Sequence, residues 1–61
     1  MEKLKDEEIG KLPIGTILQN TGSGNAYVVV DTYGDIAVAV RSVTVTNASE
    51  WMIVSKPIKL N

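Results

Sequence analysis

Two runs of β-forming residues separated by a short break constrain this chain more than any other feature. Tyr27-Val28-Val29-Val30 lies in the first run, residues 26–32, and Ile36-Ala37-Val38-Ala39 opens the second, residues 36–41. β-branched and aromatic residues fit a pleated surface, and their density here predicts strands. Tyr33-Gly34-Asp35 separates the runs. A connection that short makes them antiparallel partners and fixes their register. A chain of 61 residues then has room for one domain built around this hairpin.

The flanking segments predict the remaining elements. The bend Pro13-Ile14-Gly15 opens a strand over residues 16–20, and residues 21–25 form a loop by composition. Residues 43–46 continue as a separate strand or a kinked extension. Residues 47–50 read as a helical turn capped by Asn47, and residues 51–55 as a last strand ended by Pro57. Residues 3–12 carry one or two helical turns, with Asp6 as N-cap, Glu7 and Glu8 in the acidic first turn, and Gly10 and Pro13 as the stop. Leu4, Ile9 and Leu12 are available to pack on the domain. In the second run, Ile36, Val38 and Val40 share one face, and Ala37, Ala39 and Arg41 share the other. Beyond Arg41 the apolar parity changes to Val43 and Val45, which predicts a bulge or tight turn at Arg41-Ser42. The expected fold is mostly β: a small SH3-like barrel of four to five strands with a short N-terminal helical turn. Residues 1–12 form an arm, 13–56 the barrel domain and 57–61 a loose tail.

The composition leaves this fold without staples. Cys, His and Phe are absent, and Tyr27, Tyr33 and Trp51 are the only aromatic residues. Neither a disulfide nor a zinc site of the usual Cys/His kind can form. A thin core without either makes a homo-oligomer an expected state. Net charge is −1, with no clustered basic face, which argues against a nucleic-acid partner. The apolar runs at residues 26–30 and 36–40 fall far short of the roughly 20 residues a spanning helix needs. The expectation is a cytoplasmic protein with no membrane partner.

The same composition removes the usual catalytic groups. Without His or Cys, the common general base and the thiol nucleophile are missing. Asp31 and Asp35 flank the hairpin turn and read as turn-forming acids. Ser55 and Lys56 are adjacent on a strand and point to opposite faces. No enzyme, cofactor or metal is expected.

Binding candidates remain. Gly22, Ser23, Gly24 and Asn25 form a candidate ligand loop. Phosphate loops draw anion affinity from the N-terminus of a following helix, whereas a strand follows here, so a plain loop is the simpler reading. Arg41, the only Arg, offers a planar donor fork. It either pairs with Asp31, Asp35 or Glu50, or contacts a partner beside the small Ala37 and Ala39. Trp51 is either the main core plug or an exposed platform. Tyr27, Tyr33 and Arg41 are expected to line one side of the hairpin and, with Trp51, make up the candidate contact set. Asn47-Ala48-Ser49 matches a glycosylation acceptor and is read as a helix cap.

Four strings carry a resemblance: Leu12-Pro13-x-Gly15-Thr16-x-Leu18, Gly24-Asn25-x-Tyr27-x-Val29-Val30, Ala39-Val40-Arg41 and Thr46-Asn47-x-x-Glu50-Trp51. Together they resemble short proteins encoded by phages and prophages of Gram-positive bacteria, over residues 12–54. The resemblance implies stoichiometric binding to a host protein, such as an enzyme, a transcription component or a defence protein. It also fits an oligomeric sponge for a nucleotide or oligonucleotide. A nucleic-acid-binding SH3-like module and a virion structural component are the other readings.

Overall fold

The structure is a computed structural model that describes residues 1–34, 36–39 and 43–58. Six strands occur among these residues: β1 (Glu2–Lys3), β2 (Ile17–Asn20), β3 (Ala26–Tyr33), β4 (Ile36–Ala39), β5 (Thr44–Val45) and β6 (Trp51–Ser55). Two 3-10 helices accompany them, η1 (Asp6–Lys11) and η2 (Ala48–Glu50). The chain is therefore mostly β, as expected. The strands form one open antiparallel sheet in the order β1-β6-β2-β3-β4-β5, so β1 and β5 are its edges.

The hairpin forms where the two runs placed it. Tyr33 faces Ile36 across the Gly34 turn, and Gly34 has a φ of 54°. Nothing lies within 4 Å of the position a Cβ would take there. Backbone conformation, not crowding, therefore selects glycine. β3 is long enough to serve two neighbours. Its first half pairs with β2, with Ile17 opposite Val28, and its second half with β4, with Val29 opposite Ala39.

Two register shifts shape the sheet. One falls between Val29 and Asp31 of β3 and leaves Val30 as the extra residue. The other lies where β2 meets β6, at Ile17 and Leu18, and leaves Val54 as the extra residue. A bulge of this kind reverses which side chains face inward further along the strand. The bulge or tight turn expected at Arg41-Ser42 lies outside the described residues.

The inward face of β4 corrects one expectation. Ala37 and Ala39 are buried at 0% and 1% exposure, so they do not form an open shelf on the surface. Val45 is buried opposite Ala37, and Val43 packs against the same core. Ala37, Ala39 and Val45 are thus all inward positions. Small residues point inward because η1 packs over β3 and β4. Ile9 and Leu12, with Leu4, join Ala37, Leu18, Val29, Trp51 and Ile53 in one core.

The first twelve residues are thereby built into the domain. β1 pairs with β6, with Lys3 opposite Met52. Asp6 is not the N-cap of η1. That position belongs to Lys5, whose N–H donates to Glu8 Oε1 at 3.2 Å. The Asp6 carboxylate instead accepts the N–H of Ala48 at 3.1 Å, across 42 residues of chain, and so caps η2. Asn47 completes that cap by accepting the N–H of Ser49 at 3.1 Å.

Crowding at the alanine floor gives a direct test. Ala37→Leu is expected to cost about 1–3 kcal/mol through overpacking. For a chain this short that is a large share of a total stability of about 3–9 kcal/mol. Urea unfolding followed by Trp51 fluorescence measures it, and an unchanged midpoint would contradict the packing described.

Candidate functional site

The expected contact set does not assemble on one face. Tyr27 and Tyr33 share odd parity on β3, but the bulge at Val30 lies between them. Tyr27 points inward, half-buried, with its ring edge-on to Trp51 at a centroid separation of 5.5 Å and an interplanar angle of 69°. Such a pair contributes about 0.5–1.5 kcal/mol beyond the area it buries. Tyr33 is exposed at the hairpin end of the strand. Six residues of extended chain separate the two rings by roughly 20 Å. Trp51 is 4% exposed and sits in the core, not on an open platform. Arg41 and Asp35 lie outside the described residues.

Among the described residues, Asp31 is the group that perturbs Tyr33. A hydrogen bond to Asp31, and then the negative charge of that carboxylate, hold the phenol above its ordinary value of 10.0. Asp31 Oδ1 also accepts the N–H of Thr32 at 2.8 Å. This arrangement favours the neutral phenol, so its contribution is complete below pH ~10 and is lost as pH rises through the raised folded value.

The Gly22–Asn25 loop is closed on itself. Asn20 Oδ1 accepts the N–H groups of Gly22 and Ser23, both at 3.0 Å. Gly24 donates its N–H to the Asn20 carbonyl at 2.8 Å, and Asn25 to Ser23 Oγ at 3.2 Å. The Thr21 N–H goes to the Glu50 carbonyl at 2.9 Å. Anion loops work through unspent N–H groups, and every N–H from Thr21 to Asn25 is already used. Asn20 organises the loop, although the sequence marked only the residues after it.

A hollow of about 470 Å³ lies beside this loop, between β1 and η2. Lys3, Leu4, Thr21, Ser49, Trp51 and Met52 are among the residues that line it. Thr21 Oγ1 donates to the Glu50 carbonyl at 3.2 Å and Ser49 Oγ to Asn47 Oδ1 at 2.8 Å. Both hydroxyls therefore offer lone pairs only, and Lys3 is the one cation in the lining.

The opposite end of the sheet has a different character. Ile14 and Ile58 are 65% and 85% exposed, and Val28, Val30 and Val54 are exposed between them. Connectivity places these five together. Gly15 donates its N–H to the Val29 carbonyl at 2.8 Å, which brings Ile14 alongside the Val30 bulge. A Cβ on Gly15 would lie 3.7 Å from Pro57, which brings Ile58 to the same corner. Gly15 itself holds a φ of 98°, which few other residues adopt. Ile17, opposite both Val28 and Ser55, joins Val54 to β3. Five exposed aliphatics thus lie on β3, β6 and the segments beside them, both bulge residues included. The sequence reading missed them because Ile14 and Ile58 fall in segments read as bend and tail. Large aliphatics in such segments were the available signal.

Among the described residues, no group of three or more Asp and Glu could hold a metal ion, and no helix is long and apolar enough to cross a membrane. Comparison with protein-family models, curated proteins and solved structures finds no match.

Two measurements check this geometry. Asn20→Ala is expected to cost about 1–2 kcal/mol by stranding the Gly22 and Ser23 donors, while Asn20→Asp keeps the acceptor and most of the stability. In an ultraviolet pH titration, the tyrosine signal removed by Tyr33→Phe should have its midpoint above 10.0. Asp31→Asn should move that midpoint down, and an unmoved midpoint would break the Tyr33–Asp31 assignment.

Proposed function

We propose that this chain is a small non-enzymatic binding protein that engages and modulates a host protein through the aliphatic patch formed by Ile14, Val28, Val30, Val54 and Ile58. The carrying observation is that these five aliphatic side chains are exposed on segments joined by the β2–β3 and β2–β6 pairings and the Gly15–Val29 hydrogen bond. Scattered exposed aliphatics are ordinary, whereas contiguous apolar patches mark interaction sites. Interface cores are depleted in charge and close-packed, and a rigid sheet presenting β-branched side chains suits such packing.

The strand order supports the finer fold. β6-β2-β3-β4-β5, with β3 shared by two neighbours and a 3-10 turn before the last strand, is the order of an SH3-like barrel. That fold hosts many functions, so the patch and not the fold carries the reading. The resemblance of residues 12–54 to small phage and prophage proteins supports a host target, met in the host cytoplasm. The nucleotide sponge has less support, since the loop donors that would hold a phosphate are spent internally.

The test places a photo-crosslinking residue at position 30 and analyses captured complexes by native mass spectrometry. One heteromeric mass at fixed stoichiometry is expected. Val28→Lys combined with Val54→Lys should weaken that complex at least about tenfold, or ~1.4 kcal/mol, with the melting temperature little changed. A complex that survives the double variant, or a substrate turned over by the purified chain, would defeat the proposal.

A further inference from the structure

The sheet has two edges, and the chain treats them differently. β1 lies among Glu2, Lys3 and Lys5. Charged side chains on an edge strand discourage further pairing. The segment containing β5 has no such guard: Val43-Thr44-Val45-Thr46-Asn47-Ala48-Ser49 holds no charge and no proline.

The ladder shows which groups that edge presents. Val45 faces Ala37 and Thr44 faces Val38. Ala39 donates its N–H to the Val43 carbonyl at 2.8 Å. Bonded and non-bonded pairs alternate along an antiparallel ladder. Val43 and Val45 therefore aim their N–H and C=O groups at β4, and Thr44 aims both of its own at the open edge. One step further along, Thr46 has the same aspect. Both threonines are exposed, and no described residue bonds to their backbone on that side.

We infer that the open edge of β5 pairs with the same edge of a second copy of this chain, antiparallel and centred on Val45. This register sets Thr44 opposite Thr46 of the second copy, and Thr46 opposite its Thr44. About four N–H···O bonds then join the sheets. Threonine across from threonine is a favourable cross-strand pair. The segment is its own complement because it brings no like charges together. The contact is isologous, so it closes at two subunits and consumes the unguarded edge. It lies on a sheet edge and does not use the aliphatic patch, so it stands or falls separately from the host-protein reading.

Amide hydrogen exchange on the full chain, read by NMR at dilute and concentrated protein, tests the pairing. The Thr44 amide should exchange about tenfold or more slowly at high concentration, while the Val45 amide, bonded to β4, stays protected at both. Thr44→Pro removes the outward donor but spares the β4 ladder, so sedimentation should show the dimer lost with Val45 protection retained. If Thr44→Pro unfolds, Val45 protection disappears, and Thr44→Lys, which brings like charges across the two-fold axis, decides instead. A Thr44 amide indifferent to concentration, a wild-type chain that sediments as a monomer throughout, or a dimer that survives Thr44→Lys would each overturn the inference.

Discussion

Ile9 and Leu12 sit over a strand that presents alanine at two inward positions, Ala37 and Ala39. That small-over-large fit lets a short 3-10 helix lie close to the sheet and close its inner face. Without it, the chain would have to cover one side of β3 and β4 with a core that lacks Phe and has one Trp. Asp6 then carries the constraint further: its carboxylate caps η2, which sets the start of β6 and the position of Trp51. The N-terminal segment, the alanine strand and the last strand are held by one continuous set of contacts.

The element map was largely legible because its signals are local. β-branched density marked β3 and β4, Gly34 marked their turn, and Asn47 marked the cap of η2, as found. Face assignment was less legible because it depends on events that leave little local trace. A bulge at Val30 separates Tyr27 from Tyr33 without any glycine or proline to announce it. Ala37 lies inward in one core with Ile9, which is far away in sequence. β1 was not anticipated, since Glu2 and Lys3 have no strand propensity and gain their pairing from Met52 and Ile53. The candidate site was the least legible part, because an exposed patch arises from where bends and bulges bring separate aliphatics.

Polar and apolar groups are partitioned between the two ends of the molecule. At the Asn20 and Trp51 end, loop donors are consumed by neighbouring acceptors. At the Ile17 and Ser55 end, the surface turns aliphatic. A molecule built this way has few strong directional groups to spend on a ligand. On the proposed binding reading, recognition rests on shape and desolvation, and selectivity on how well the sheet matches its counterpart.

The bond between Asp6 and Ala48, and the pairing of β1 with β6, have a kinetic side. Residues 2–6 find their partners only at residues 48–53. Closing that long loop costs entropy before any contact returns it, which slows the search. The central hairpin can form from neighbouring residues alone, whereas the inner face cannot be sealed until β6 has left the ribosome. By that cost alone, assembly that runs from the middle of the sequence outward is favoured, with Ile9, Leu12 and the alanine strand covered last.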